Sequence, residues 1–334
     1  MPGSLPHHLI NIYFNNSFNQ VLEPNTFPPT VKTISFGTGF NQTLNGVLPI
    51  SLLHLLINVN NIDYNHDLIN LPAGLLELAL PKSFVNRALN CPSLERLEVY
   101  SYIPISHQFP NLQGLTINRV DQNCNFEVVT STQFPKLAEL LIKEGVEMDL
   151  DISHLPWTTL KKVNMFQSIF FTYPKILPFK FPLGLEKLAV GGYDFVAAPL
   201  GSLPSSINSL KLWDVKNIRL GDIPSSVTKL VIEKYDQSFD VKMLPISLSK
   251  FVISTLPNQI DIVRQLPDTI RKFEILTHFK LIRVSNQLYF RQPHDDEDQL
   301  GQTPYGFQTK STLDSIIQSI EPPPIRTDIS TLLS

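Results

Sequence analysis

Residues 203–212 read LPSSINSLKL, and the same pattern returns at residues 71–80 (LPAGLLELAL) and 223–232 (IPSSVTKLVI). In each stretch a proline is followed by apolar residues three, six and eight positions later. The last two apolar residues stand two apart, which is the alternation of a short strand with one buried face. Proline fixes φ and lacks an amide hydrogen, so it suits the turn before the strand. Each unit therefore predicts one turn followed by one strand.

This unit recurs along most of the chain at a spacing of about 22 residues. Nine of the thirteen units keep the spacing above, three shift the apolar triplet one residue toward the proline, and one shifts it one residue away. A coil with a single strand cannot bury its apolar face alone, so neighbouring coils must stack, with their strands paired in parallel. The prolines are Pro6, Pro28, Pro49, Pro72, Pro92, Pro110, Pro135, Pro156, Pro182, Pro204, Pro224, Pro245 and Pro267.

Two motifs within these units resemble FNIP repeats, a subfamily of the leucine-rich repeats. Residues 34–42 (ISFGTGFNQ) and 48–52 (LPISL) are similar to the family's F-G-x-x-F-N-Q and L-P-x-S-L parts, and residues 14–20 repeat F-N-Q. Residues 203–207, 223–227 and 244–248 carry L-P-x-S, whereas the middle coils from Pro92 to Pro156 resemble general leucine-rich repeats. The resemblance covers roughly residues 5–285. It implies a mainly β, right-handed leucine-rich-repeat solenoid of about 13 repeats, with a parallel concave sheet and few helices.

The sequence divides into three segments. We expect the solenoid over residues 5–285, a polar acidic loop or linker over 286–310, and a C-terminal tail over 311–334 with a short helix at about 311–320. That helix either caps the last coil or belongs to a flexible tail. The first coil starts at Leu5, so its apolar side has no preceding coil to pack against. Three explanations are open: the sequence is a fragment of a longer chain, two copies pair end to end, or residues 1–6 fold over this side.

Composition narrows the class of protein. The net charge is −3, with 27 basic and 30 acidic residues, so no global positive field favours nucleic-acid binding. No apolar run approaches the roughly 20 residues that span a membrane. The first ten residues lack the features of a signal peptide, and the two cysteines form neither a disulfide framework nor a zinc site. These features predict a soluble, cytoplasmic or nuclear protein.

Catalytic patterns are missing from the sequence. None of the eight histidines stands at metal-ligand spacing from Cys, Asp or Glu, and there is no phosphate loop, G-x-S-x-G elbow or H-E-x-x-H motif. The same period also suits a β-helix polysaccharide-active enzyme, whose chemistry needs converging carboxylates. The nearest cluster, Lys211, Asp214, Arg219 and Asp222, is better explained as solvent-facing charge. We predict no enzymatic activity, no cofactor and no metal.

One column of residues is predicted to point out of the concave sheet, just before the middle apolar residue of each unit. In the last six coils it reads Lys162, Lys187, Ser209, Lys229, Lys250 and Lys272. Stacking places these lysines about 5 to 10 Å apart. Either they keep the face soluble, with Glu186, Glu233 and Glu274 neutralising part of the charge, or they dock an acidic partner segment beside the apolar anchors Trp213 and Phe166.

The predicted function is a non-catalytic protein-protein interaction scaffold that binds a protein partner on the concave face. The alternative, implied by relatives that carry an F-box, is a substrate receptor that acts with a separate ubiquitin-ligase adaptor. The polysaccharide-active enzyme is the third and weakest reading. The partner and the oligomeric state stay open.

Overall fold

A computed structural model describes residues 5–85, 87, 89–103, 109–121, 124–145, 155–156, 158–165, 181, 183–191, 203–235, 237–253, 262, 265–275, 279–285, 288–292 and 306–309. Its strands form one sheet in chain order. Thirteen of them pair in parallel, and each follows one of the prolines above. They are β1 (Asn11–Tyr13), β2 (Thr33–Phe36), β3 (His54–Ile57), β4 (Glu77–Ala79), β5 (Arg96–Val99), β6 (Gly114–Val120), β7 (Glu139–Gly145), β8 (Lys162–Met165), β9 (Lys187–Gly191), β10 (Ser209–Trp213), β11 (Lys229–Glu233), β12 (Lys250–Ile253) and β13 (Lys272–Ile275).

Helix is almost absent from the described residues, as the repeat pattern predicts. Two 3₁₀ turns occur, at Phe126–Val128 and Val241–Met243. None of the helices in the described segments is long and apolar enough to cross a membrane. The predicted parallel β-solenoid is therefore confirmed.

The turn before each strand explains why the repeat shifts its register. In an unshifted coil the proline carbonyl accepts the amide of the first apolar residue, as in Leu52 N–H to Pro49 O at 3.0 Å. In the three coils whose triplet is shifted toward the proline, the accepting carbonyl comes from the residue before the proline, as in Leu94 N–H to Cys91 O at 3.1 Å. The proline thus moves one place within the same turn, while the strand keeps its position.

The three apolar residues of each coil form the core. In the coil that contains β10, Ile207, Leu210 and Leu212 are all 0% exposed. The parallel register sets Leu210 beside Leu188 on β9 and Leu230 on β11, so apolar columns run through the stack. Each buried aliphatic side chain contributes about 1.5–3 kcal/mol, which no coil obtains without its neighbours.

The F-G-x-G-F-N-Q motif has a physical basis in the first coils. The rings of Phe36 and Phe40 stack with centroids 3.9 Å apart, and the backbone N–H of Asn41 donates to Asn19 Oδ1 at 2.8 Å. Gly37 and Gly39 lie against the previous coil, where an added Cβ would sit 2.5 Å and 2.4 Å from backbone oxygens. Real Cβ atoms never approach so closely, so only glycine fits these two positions.

The L-P-x-S motif also links one coil to the previous one. The serine hydroxyl donates to the carbonyl of the first apolar residue of the preceding coil at 2.6–2.8 Å. The four donors are Ser51, Ser206, Ser226 and Ser247. Each bond satisfies a carbonyl at the turn, where no strand ladder reaches it.

The sheet continues past the parallel strands with three antiparallel ones that the sequence did not predict. They are β14 (Phe279–Ser285), β15 (Leu288–Gln292) and β16 (Gly306–Thr309). Two of them lie inside the segment 286–310, which we expected to be a loop or linker. The acidic run 295–298 and the helix expected at about 311–320 lie outside the described residues, and the division into three segments stays a prediction.

Arg283 holds β14 against the last coil. Its guanidinium donates to the Pro267 carbonyl and to Asp268 Oδ1, both at 2.9 Å, and lies 5.4 Å from the centre of the Tyr289 ring. The hairpin is therefore bonded to the turn that precedes β13, and not only to its strand edge.

Candidate binding surface

Two columns of side chains project from the solvent-facing side of the parallel sheet, which is the face that the sequence predicts to be concave. The first outward column lies in the register that the spacing predicts and contains Asn11, Thr33, His54, Glu77, Arg96, Gly114, Glu139, Lys162, Lys187, Ser209, Lys229, Lys250 and Lys272. The second outward column stands two residues later in each strand and contains Tyr13, Ser35, Leu56, Ala79, Glu98, Thr116, Leu141, Asn164, Ala189, Lys211, Val231, Val252 and Glu274.

The five lysines of the first outward column, which we call the lysine column, are only partly neutralised. Lys162 Nζ lies 3.4 Å from Glu139 Oε2, and Lys250 Nζ lies 3.3 Å from Glu274 Oε2. Within the described part of the chain, the other three have no carboxylate within 4.0 Å; they are Lys187, Lys229 and Lys272. All three are exposed at their strand positions. The face thus carries three unneutralised positive charges in line.

The glutamates that the sequence offered as neutralisers behave differently from one another. Glu274 does pair with the lysine column. Glu233 pairs instead with Lys211 at 3.1 Å, and Glu186 lies 4.0 Å from Lys161, which is not a member of the column. The lysine column is therefore less neutralised by glutamates than the sequence spacing indicated.

Of the two apolar anchors expected beside the column, Trp213 is the one that lies within the described residues. Trp213 is half-buried, at a register position between Gly191 on β9 and Glu233 on β11. Lys234 Nζ lies 4.5 Å from the centre of its ring, so a cation already covers one ring face. Phe166 lies outside the described residues.

A groove that the sequence did not predict opens on the same face, across β3–β8. Its volume is about 250 Å³, and its lining includes Gly114, where the first outward column has no side chain. The second outward column provides its floor, one residue from each of six strands: Leu56, Ala79, Glu98, Thr116, Leu141 and Asn164. The sequence signal for this groove is Gly114, the single glycine in the first outward column. That glycine alone does not predict a groove, because the groove also depends on the side chains that stacking brings beside it.

The charged residues around the groove are mostly paired. Glu98 Oε1 accepts from Lys143 Nζ and from Asn118 Nδ2, both at 2.7 Å, and His54 Nδ1 lies 2.9 Å from Glu77 Oε2. Arg96 is the exception, because its guanidinium makes no ion pair or hydrogen bond with the residues that the structure describes. The groove therefore offers apolar contacts beside polar groups, with one available cation at its edge.

The charged cluster weighed for an enzyme is occupied by structural contacts. Arg219 binds Asp222 through Nε and Nη2 at 3.0 and 3.1 Å, and that carboxylate is almost fully buried. Across the described ranges no group of three or more His, Cys, Asp or Glu is placed to hold a metal. Burial raises the pKa of Cys91 to about 12, and burial together with nearby carboxylates does the same for Cys124, so both thiols are protonated near neutral pH.

Comparison with known proteins first defines the class. A solved structure described as CroV588, a novel circular leucine-rich-repeat protein, matches with a TM-score of 0.54 and 19% identity, over 82% of this chain. The match spans 44% of that protein's length. At this identity the likeness shows the fold alone. This chain therefore has the fold of a leucine-rich-repeat-like solenoid.

The subfamily follows from the repeat motif itself. The family described as FNIP Repeat matches residues 1–39, 18–59 and 213–255. The resemblance seen in the sequence is thereby confirmed: the chain contains FNIP repeats at its N-terminal end and again near β11 and β12. No curated protein matches the chain.

Proposed function

We propose that this chain is a non-catalytic scaffold whose lysine column binds an acidic segment of a protein partner on the concave sheet face. One observation carries the proposal: Lys187, Lys229 and Lys272 stand in a single ladder without a carboxylate partner in the described structure. Like charges in register destabilise a sheet, so this arrangement has an energetic cost in the free protein. An acidic ligand removes that cost when it binds.

A purely solubilising role predicts a different arrangement. Solubility requires charge on the surface but no alignment. Elsewhere on this face Lys143 is paired with Glu98 at 2.7 Å, and Arg96 stands alone without a second unpaired cation beside it in the described structure. Both cysteines are free thiols, which supports a reducing compartment such as the cytoplasm.

The experiment compares two variants with the same change in net charge. The triple lysine variant, K187Q/K229Q/K272Q, neutralises the column, and the control variant, K32Q/K216Q/K242Q, neutralises three exposed lysines away from it. Partners are recovered by affinity pull-down and identified by mass spectrometry. A partner that is retained by the control and lost by the triple lysine variant supports the proposal.

Salt dependence provides the second readout. Binding through the column should weaken steeply between low and high salt, and the triple lysine variant should lose most of that dependence. An identical dissociation constant at both salt concentrations, for wild type and variant alike, contradicts the proposal. Recovery of a ubiquitin-ligase adaptor in the same pull-down favours the receptor role instead.

A further inference from the structure

We infer that the groove at Gly114 receives one apolar side chain of the same acidic segment, so that the ligand combines an apolar anchor with an acidic run four to ten residues away. This inference rests on the proposed function and adds the sequence pattern of the ligand.

The groove and the lysine column form one continuous surface. Lys162 lines the groove and is also the first lysine of the column. Along the first outward column, Gly114 is followed by Glu139, Lys162 and Lys187 on successive strands. A peptide that crosses the strands over the lysines therefore reaches the groove without changing direction.

The apolar part of the groove offers contacts for one apolar side chain. Its floor combines the apolar residues Leu56, Ala79 and Leu141 with Glu98, Thr116 and Asn164. Each glutamate that lines the groove already has a partner. At about 250 Å³ it is smaller than the roughly 300–1,000 Å³ of most small-molecule sites, which favours a single side chain over a cofactor. Arg96 lies on β5, on the side of Gly114 away from the lysine column, and adds a preference for a carboxylate on that far side of the anchor.

The strand spacing sets the distance between the two parts of the ligand. Parallel strands lie about 4.8 Å apart, and an extended peptide advances about 3.3 Å per residue. From Gly114 on β6 the free lysines on β9, β11 and β13 are three, five and seven strands away, or roughly 14, 24 and 34 Å. These distances correspond to about four, seven and ten peptide residues, and the lysines themselves span about six.

Gly114 permits a test that fills the groove without disturbing the fold. A Cβ at this position would meet only Arg96 Cγ, at 3.6 Å, which is an ordinary contact. Gly114→Leu should therefore fold and occupy the groove. Thr33→Leu, in the same column on β2 but outside the groove, is the matched control.

The probes are fluorescein-labelled peptides, measured by fluorescence anisotropy at low salt. The first peptide contains six glutamates after a Gly-Ser spacer. The second adds a tryptophan seven residues from the centre of the glutamates, and the third places that tryptophan next to them. The fourth keeps the tryptophan and the spacer but has no glutamates. Both chain directions are made. For wild type we expect the second peptide to bind about tenfold tighter than the first, and the third to show no such gain.

The variants separate the two proposals. Gly114→Leu should lose the tenfold gain and still bind the first peptide, and Thr33→Leu should keep both the gain and the binding. The triple lysine variant should lose all three peptides that contain glutamates. If the acidic peptide binds but tryptophan adds nothing, or adds equally in Gly114→Leu, the groove inference is overturned and the proposed function stands. If the acidic peptides bind no better than the fourth peptide, both are overturned.

Discussion

Substitution of Gly37 by alanine is the sharpest test of how the F-G-x-G-F-N-Q coils stack. The new Cβ would lie 2.5 Å from the Asn15 carbonyl oxygen, so the first coil must move away by about 1 Å to restore a normal contact of about 3.4 Å. That shift breaks the Gly39 N–H bond to Asn16 O at 3.0 Å and the Thr38 N–H bond to Asn16 Oδ1 at 3.2 Å. It also disturbs the Phe14–Phe36 stack, whose centroids are 5.1 Å apart. Two or three lost contacts of about 1 kcal/mol each give about 2–3 kcal/mol.

The loss should stay within the end coil, because each coil of a solenoid contacts only its neighbours. We therefore expect amide hydrogen exchange at residues 11–20 to accelerate roughly 30- to 150-fold, with little change beyond β3. Gly114→Ala is the control, since its Cβ meets only Arg96 Cγ at 3.6 Å and should cost nothing. Unchanged exchange of the first coil in Gly37→Ala would refute the close-approach argument.

Four further variants or treatments test other parts of the structure. The triple lysine variant should gain up to about 1 kcal/mol in free energy of unfolding by urea titration, less at high salt, because repulsion is relieved; a clear loss would mean that the lysines make stabilising contacts. Ser226→Ala removes the 2.7 Å bond to the Ile207 carbonyl and should lower the free energy of unfolding by about 1 kcal/mol, whereas Ser225→Ala, at the exposed neighbouring position, should leave it unchanged. With pKa values near 12, the buried Cys91 and the partly buried Cys124 should resist iodoacetamide at pH 8 in the native protein and react in urea; fast native labelling would contradict the raised pKa values. Ser209→Glu should stabilise the fold and weaken acidic-peptide binding, with Ser209→Gln neutral in both assays.

The proline and its apolar triplet were sufficient to predict the strands and their register. Once Leu210 and Leu230 are assigned to the same buried column, the residues before them, Ser209 and Lys229, must pair, and the structure places them so. The antiparallel strands β14–β16 lack this proline turn. They depend on Arg283 reaching back to Pro267 and Asp268, a contact that no periodic pattern encodes.

The site was harder to predict than the fold because it depends on which side chains reach one another between columns. Lys250 bonds Glu274 and Lys211 bonds Glu233, each one strand further along. Spacing placed all four residues near each other but did not decide which pairs would form. The groove was missed for a related reason, since it is defined by the absent side chain of Gly114 and by a floor from six different strands.

The placement of Ser209 distinguishes a binding ladder from a solubilising one. It stands in register directly between Lys187 and Lys229, so a glutamate there would make opposite-charge pairs with both neighbours, each contributing about 0.2–1 kcal/mol. Elsewhere on this face that solution is used, since Glu139 stands beside Lys162 in the same column. A face that needed only to be hydrophilic would be as soluble, and more stable, with the glutamate. The serine instead leaves the lysine charges available, which is the arrangement that an acidic ligand requires.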